Sequence, residues 1–198
     1  MTDQTKGFVQ YLTKLAAKEA PKDASQDAAK DTPDRAALAT LRRGLSGEPR
    51  DLARVYPIVL PRAPEDQQDA YMKTACLFGL HPTEARQLDG ADTVAGAMRK
   101  VLEKTKSSSI EARFVALLGS HRDELFEHLR YCVSLAKSHS IALRWDDVLD
   151  ALRWWTSNPT SRNSIRQRWA RDFWGSTVSS KPSETPENSP TVTADANE

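Results

Sequence analysis

The stretch SSSIEARFVALLGSHRDELFEHLRYCVSLAKS, residues 107–138, decides the fold of this chain. Along its second half, apolar side chains recur at steps of three and four positions: Leu125, Leu129, Cys132 and Ala136. The first half repeats that spacing in Ile110, Phe114, Leu117 and Leu118. Because an α-helix turns once in about 3.6 residues, each set lies on one helix face. The stretch therefore predicts two amphipathic helices, separated at Gly119.

The helical period extends over most of the remaining chain, and no segment shows the alternation with period two that a half-buried strand requires. The sequence therefore predicts an all-α protein. Six further helices are predicted: an N-terminal helix in residues 1–21, then residues 33–45, 67–78, 93–102, 146–155 and 163–174. Residues 49–64 contain four prolines, which predict a short helical turn followed by extended chain.

Three of the predicted helices begin with capping signals. Thr32 is expected to cap a helix that has Pro33 in its first turn. Ser108 and Glu111 have the spacing of a capping box. Asp146 is expected to cap the helix that follows it.

Two segments lack apolar periodicity. Residues 22–32 are polar and rich in alanine, which predicts a mobile linker after a helix that ends near Pro21. Residues 176–198 are rich in Ser, Thr, Pro and Glu, and they predict a disordered acidic tail, because so little apolar surface cannot offset the entropy of ordering.

The charge balance permits a local basic surface without demonstrating one. The whole chain carries a formal net charge of +1, whereas residues 35–175 have 22 Lys and Arg against 17 Asp and Glu, a net charge of +5. Such a modest excess is usually only a solvated surface. Charge alone therefore does not establish a nucleic-acid-binding protein.

The remaining composition favours a cytoplasmic protein. Cys76 and Cys132 each lie in an apolar helical pattern without CxxC spacing, so they are interpreted as buried apolar side chains in a reducing compartment. No segment approaches the length of a membrane span, and the first residues do not resemble a secretory signal. We therefore expect a soluble, cytoplasmic protein without membrane partners.

The motifs of common enzymes are missing from the sequence, including GxGxxG, the P-loop, GxSxG and HExxH. The four histidines show no metal-ligand spacing, although His121 and His128 are seven residues apart and can share a helix face. Asp146, Asp147 and Asp150 form an acidic group that a helix dipole explains without catalysis. The sequence therefore predicts no catalytic residues, metal or cofactor.

Four of the five tryptophans lie between Asp150 and Gly175. Trp169 shares a stripe with Ile165 and Phe173, which predicts core packing, while Arg168 and Arg171 project from the other side. Trp155 shares the face of Leu152. Trp154 and Trp174 fall off these stripes, so they are either exposed or placed at a contact with another protein subunit.

Four motifs occur in a specific order along the chain: DRAALATLRRG at 34–44, SSSIEARFVALLGSHRDELFEHLRYCV at 107–133, DDVLDALRWW at 146–155 and RQRWARDFWG at 166–175. In this order and spacing they resemble the CasB family, the small subunit of the type I-E Cascade surveillance complex of CRISPR immunity. The resemblance covers the chain from about Phe8 to Gly175, apart from the linker.

The resemblance implies a non-catalytic, all-helical subunit built from two small helical bundles. On this chain the bundles correspond to residues 33–106, together with the N-terminal helix, and to residues 107–175. The implied partners are a second copy of the chain arranged head to tail, the backbone and large subunits of Cascade, the guide RNA, and the target and displaced DNA strands. The implied function is to stabilise the guide/target duplex and the displaced strand in antiviral defence.

Basic positions of the family match seven arginines here: Arg42, Arg43, Arg113, Arg122, Arg130, Arg162 and Arg166. The resemblance implies that they hold nucleic-acid backbone, a role that suits the planar donor fork of arginine. Each can instead belong to a solvated face, complement a helix dipole or pair with an acid. The alternative function is a helical adaptor that contacts only protein, with Trp154 and Trp174 as its interface anchors.

Overall fold

The computed structural model of the protein describes residues 3–17, 34–83, 85–155 and 159–175. Nine α-helices lie in this described part: α1 Asp3–Ala16, α2 Arg35–Arg43, α3 Pro49–Val59, α4 Gln68–Leu80, α5 Val94–Thr105, α6 Ser108–Gly119, α7 Arg122–Ser138, α8 Trp145–Trp154 and α9 Pro159–Trp174. Short 3-10 turns connect several of them, and one isolated parallel bridge joins Asp92 to Leu143. The predicted all-α class is confirmed.

Several predictions concern residues outside the described part of the chain. These are the linker at 22–32, the tail at 176–198, the helix end near Pro21 and the cap formed by Thr32 with Pro33. The cap that the structure gives to α2 is Asp34, whose carboxylate accepts a hydrogen bond from the backbone N–H of Ala37 at 2.8 Å. The helix therefore begins later than the threonine signal predicts.

The prediction for residues 49–64 was wrong, because α3 is a helix of 11 residues rather than a single turn. Pro49 occupies the first turn, where its missing N–H costs no helical hydrogen bond. Pro57 lies in the last turn, so it removes only a bond to Ala53, an exposed position whose carbonyl water can reach. Burial of Val55 and Val59 stabilises the helix despite that loss.

The capping box predicted at Ser108 is also wrong. The cap residue is Ser107, so Glu111 lies one position too far into α6 to reach back to the cap. Its carboxylate instead accepts a hydrogen bond from the indole Nε1 of Trp174, at 2.9 Å. A capping box does form at the start of α7, between His121 and Glu124.

Two central helices organise the core. Helix α4 is buried on nearly all sides and packs against α2, α3, α7 and α8. Helix α5 packs against α6, α7 and α9. A single cluster of buried apolar side chains runs through both halves, and α1 packs against both α2 and α8. The division into two bundles remains a prediction.

Close backbone contact between α2 and α4 depends on Gly79. A Cβ atom at this position would lie 2.5 Å from the backbone nitrogen of Arg42 and 2.8 Å from Cβ of Leu41. Only glycine lets the two helices approach so closely. The packing therefore fixes where the basic end of α2 lies.

The remaining core predictions are confirmed. Cys76 and Cys132 are buried, free thiols, and burial raises the pKa of each to about 12. Trp155 and Trp169 are buried against each other, with ring centroids 5.6 Å apart. These side chains contribute to packing and are not available to a ligand.

Candidate nucleic-acid interface

Helix α7 is the element around which most of the predicted basic residues gather. One face carries Leu125, Leu129 and Val133 and is buried in the packing against α4 and α5. The opposite face is consequently exposed. Arg130 and Tyr131 are consecutive residues and therefore about 100° apart, so they border this exposed face on two sides.

Arg130 links α7 to the end of α2. Its Nη1 donates a hydrogen bond to the backbone carbonyl oxygen of Leu45, over 3.4 Å. The same nitrogen lies 3.8 Å from a carboxylate oxygen of Glu127, and the side chains of Arg130 and Glu127 are 43% and 67% exposed. Such a pair is worth little in water. The guanidinium is therefore anchored but not neutralised.

Arg42 and Arg43 end α2 close to this anchor. Both are exposed, and neither side chain has a hydrogen bond or an ion pair with any residue in the described part of the chain. Their charges also complement the C-terminal end of the α2 dipole. Because that interaction uses few of the five N–H donors of a guanidinium, both remain able to bind phosphate.

Arg113 lies on the other side of the exposed face. Its guanidinium carbon is 4.1 Å from the centroid of the Tyr131 ring. A cation–π contact of this kind orients the guanidinium while its N–H edge stays available to an acceptor. Arg113 and Arg130 therefore border one surface from α6 and α7.

A second group of arginines surrounds the turn between α6 and α7. Nη2 of Arg166 donates to the carbonyl oxygen of Ser120 at 3.2 Å, and Arg122 follows two residues later. Arg166 also lies 5.1 Å from the ring centroid of Trp155. Arg162 is one helical turn before Arg166 on α9.

The two α9 arginines repel each other. Burial lowers the pKa of Arg166 from its ordinary value, and the positive charge of Arg162 lowers it further. The Nε atoms of Arg162 and Arg166 are both buried and have no hydrogen-bond partner among the described residues. An anion at this position would relieve the repulsion and accept the unused donors.

The seven predicted residues thus form two groups. Arg42, Arg43, Arg113 and Arg130 come from the end of α2, from α6 and from the middle of α7, whereas Arg122, Arg162 and Arg166 come from the first turn of α7 and from α9. Arg122 and Arg130 are eight residues apart, about 12 Å along the helix. The structure therefore supports a basic surface along α7 and not a single pocket.

The acidic group at the start of α8 serves a structural role that the sequence interpretation missed. Asp147 is only 3% exposed. Its carboxylate accepts hydrogen bonds from the backbone N–H of Val94, from Nε1 of Trp169 and from Nη2 of Arg168. The expectation that Arg168 simply projects outward was wrong, because this buried carboxylate holds its guanidinium.

Asp146 does not cap α8. Arg144 is the cap residue, and Nη2 of Arg144 lies 2.7 Å from a carboxylate oxygen of Asp146. Burial of Trp145, whose Nε1 donates to the hydroxyl of Thr83, starts the helix one residue before Asp146. The correct start requires knowledge of that long-range contact.

The two tryptophans predicted at a protein interface are partly exposed, Trp154 by 38% and Trp174 by 36%. Trp174 packs edge-on against Phe114 and Phe173, so it already has intramolecular contacts. Trp154 lies 4.9 Å beneath the guanidinium of Arg153. Both retain apolar surface that a partner can cover.

The described residues were also searched for metal sites and for membrane-spanning helices. No group of three His, Cys, Asp or Glu side chains is arranged there to hold a metal ion. Within those same ranges, no helix has both the length and the apolar character needed to cross a bilayer.

Comparisons with known proteins give consistent results. The family described as CRISPR-associated protein Cse2 matches residues 37–174. The CRISPR-associated protein Cse2 of Thermus thermophilus is 31% identical over 151 residues, which cover 73% of this chain and 82% of that protein. The similarity thus spans every helix from α2 to α9.

Solved structures of other proteins have a similar fold. The crystal structure of CasB from Thermus thermophilus is 26% identical, with a TM-score of 0.63 over 88% of this chain and 99% of that one. A chain in a structure of a CRISPR RNA-guided surveillance complex has the same fold, with a TM-score of 0.67 at 19% identity over 90% of this chain and 98% of that one. The motif resemblance is thereby confirmed: the chain belongs to the Cse2 family of CRISPR-associated proteins.

Proposed function

We propose that this protein is a non-catalytic subunit of a type I-E CRISPR RNA-guided surveillance complex, where it binds nucleic-acid backbone. In this role it stabilises the guide/target duplex and the displaced DNA strand. Its partners are the guide RNA, both target strands, the larger subunits and a second copy of itself arranged head to tail. Family membership and the fold shared with a chain of such a complex support the proposal.

The physical requirement for this role is modest. Base pairing with the guide reads the sequence, so the protein needs only to recognise shape and neutralise phosphate. Duplex opening exchanges DNA pairs for RNA–DNA pairs of similar stability, and a few backbone contacts shift that balance. A net charge of +5 over residues 35–175 is sufficient for such reinforcement.

The observation that carries the proposal is the exposure, pairing and orientation of four arginines on α2, α6 and α7. Arg42 and Arg43 are exposed and unpaired among the described residues, while Arg113 and Arg130 are oriented by Tyr131 and by the Leu45 carbonyl without being neutralised. Pre-oriented guanidinium groups lose little entropy when they bind phosphate.

The test is a reconstituted complex that carries Arg42→Gln, Arg43→Gln, Arg113→Gln and Arg130→Gln together. We expect the complex to assemble, but its affinity for target DNA to fall by roughly tenfold and the salt dependence to weaken, since each lost phosphate contact removes about 0.7 to 0.9 from the slope of log K against log salt. Filter binding across a sodium chloride series measures both quantities.

A matched control removes four positive charges elsewhere: Lys6→Gln, Arg99→Gln, Lys106→Gln and Arg171→Gln. This variant has the same net charge as the first, so it separates a local contact from a general charge effect. Equal losses in the two variants, or unchanged binding in the first, would overturn the proposed surface.

A protein-only adaptor is the second candidate, favoured by the exposed surface of Trp154 and Trp174. In that case Trp154→Ala or Trp174→Ala prevents assembly, and the isolated chain shows no salt-sensitive binding to single-stranded DNA. Tyr56→Ala is the control, because Tyr56 is an aromatic residue of similar exposure, 43%, on α3. A steep salt slope for the isolated chain contradicts the adaptor function.

A further inference from the structure

A shallow groove of about 230 Å³ lies between α2, the end of α4 and the end of α7. Its rim carries three positive side chains, Arg35 and Arg42 from α2 and Lys137 from α7. Arg35 and Lys137 are 102 positions apart in sequence, and neither is among the seven arginines that the sequence predicts to bind nucleic acid. Only the fold brings them together.

The described residues that line the groove include these three cations and no acidic side chain. All three side chains are exposed, and none has a hydrogen bond or ion pair with the part of the chain that the structure describes. Three like charges around one groove repel each other until an anion binds between them.

The positive field of the rim also reaches into the protein. His81 lies at the end of α4, and burial lowers the pKa of its imidazole from the ordinary value. A hydrogen bond with the carbonyl of Ile141 opposes this effect, and the charge of Lys137 lowers the pKa further. His81 therefore reports on any charge that binds beside Lys137.

The groove floor is apolar. Leu38, Leu80 and Pro82 line it, and Gly79 presents no side chain. A cationic rim above an apolar floor suits a ligand that carries both negative charge and a flat or apolar part. A nucleotide unit of a single strand has both features in every repeating unit, whereas a run of Asp or Glu brings charge without an apolar surface for the floor.

The groove is also continuous with the proposed surface. Arg42 belongs to both, and Lys137 follows Arg130 by seven residues, which places them on nearly the same side of α7, about 10 Å apart. The close contact at Gly79 fixes the spacing between α2 and α4. A strand that contacts Arg130 can therefore continue into the groove.

We infer that this groove binds one phosphate–nucleoside unit of a single-stranded nucleic acid, with Arg35, Arg42 and Lys137 around the phosphate and the apolar floor beneath the nucleoside. The inference rests on the proposed function and extends it by a defined site. Arg35 and Lys137 are additional phosphate-binding residues, and the preferred ligand is unpaired strand, because the floor contacts a face that duplex stacking covers.

The experiment measures binding of the full chain to a labelled oligothymidine across a sodium chloride series, by fluorescence anisotropy. Arg35→Gln combined with Lys137→Gln is expected to reduce the slope of log K against log salt by about 0.7, the effect of losing one single-strand phosphate contact. Lys6→Gln combined with Arg171→Gln is the matched control and leaves the slope unchanged. Equal thermal midpoints verify folding of both variants.

The double substitution Arg35→Lys with Lys137→Arg supplies a rescue, because it preserves charge and should retain the slope. In the wild-type chain, oligothymidine should also shift the ring resonances of His81, which lies beside Lys137. A polyglutamate peptide of equal charge that competes better than oligothymidine would assign the groove to an acidic protein partner and overturn the inference.

Different experimental results would contradict the proposed function and the proposed groove site. If the four arginine substitutions around α7 weaken binding while Arg35→Gln with Lys137→Gln leaves the slope intact, the groove is not a nucleic-acid site and the proposed function stands. If the unmodified complex and the unmodified chain both bind nucleic acid without salt dependence, the proposed function and this inference both fall.

Discussion

Nη2 of Arg168 lies 2.6 Å from Oδ1 of Asp147, and this ion pair joins α9 to α8 at the edge of the core. The Asp147 side chain is almost fully buried, whereas Arg168 keeps 42% of its side chain exposed. Because the carboxylate also accepts from Val94 and Trp169, it holds the start of α5 and the middle of α9 together. The position of α9, the helix that carries Arg162 and Arg166, therefore depends on one acid.

Removal of that acid should destabilise the whole fold. Asp147→Ala leaves a guanidinium, an indole N–H and a backbone N–H without their acceptor, and we expect the free energy of unfolding to fall by about 3 to 5 kcal/mol. Asp146→Ala is the control, because its partner Arg144 is half-exposed and the expected loss is about 1 kcal/mol or less. Urea denaturation followed by circular dichroism measures both, and equal losses would contradict the assigned role.

The two cysteines should be unreactive in the folded protein. Burial raises the pKa of Cys76 and Cys132 to about 12, so only about one thiol in ten thousand is ionised at pH 8, against about a quarter of ordinary thiols. Iodoacetamide should label neither until denaturant is added, while an exposed cysteine from Ser109→Cys reacts at once. Rapid labelling of the unmodified native chain would contradict the buried positions.

Structural features that depend only on neighbouring residues in the sequence could be predicted from it. The stripe of Trp169 with Ile165 and Phe173 was identified correctly, because a buried helix face repeats along the sequence itself. Pro57 misled the interpretation for the same reason: a proline signals a break locally, and the burial of Val55 and Val59 that overcomes it is tertiary.

The site was predictable only in part. Single arginines such as Arg43 could be identified through family motifs, and their exposure on α2 agrees with that identification. The groove with Arg35 and Lys137 could not, because no sequence pattern relates positions on α2 and α7 that meet through α4. The same limit applies to Asp147, whose partners lie 53 and 21 or 22 residues away.

The titration of His81 offers a test of the electrostatics around the groove. Burial lowers the His81 pKa most, and the charge of Lys137 contributes in the same direction. Lys137→Gln should therefore raise this pKa, as measured by NMR of the ring protons, while Lys106→Gln should not. No change in the first variant would show that the field of Lys137 does not reach the imidazole.

The lowered pKa of His81 also predicts how the stability of the fold changes with pH. Since the folded pKa of His81 lies below the unfolded value, the unfolded chain binds more protons as the pH falls through about 6.5, and stability is lost there. Lys137→Gln makes this loss smaller. Urea midpoints at pH 8 and pH 5.5 should thus differ less in the variant than in the wild-type chain.

Gly79→Ala tests whether the α2–α4 contact positions the basic end of α2. The added Cβ would meet the backbone nitrogen of Arg42 at 2.5 Å and the Leu41 Cβ at 2.8 Å, so the helices must separate. We expect the free energy of unfolding to fall by about 1 to 3 kcal/mol, as overpacked sites do. Because separation displaces Arg42, affinity for oligothymidine should also fall under conditions in which the variant remains fully folded.

Gly7→Ala is the matched control on α1. Nothing lies within 4 Å of the Cβ that it adds, and the position is exposed within the helix. Alanine is the better helix former, so this substitution should raise the free energy of unfolding by about 0.5 to 1 kcal/mol and leave oligothymidine binding unchanged. If Gly79→Ala were equally harmless, α2 and α4 would not be held in register by contact, and the geometry of the groove would not depend on glycine.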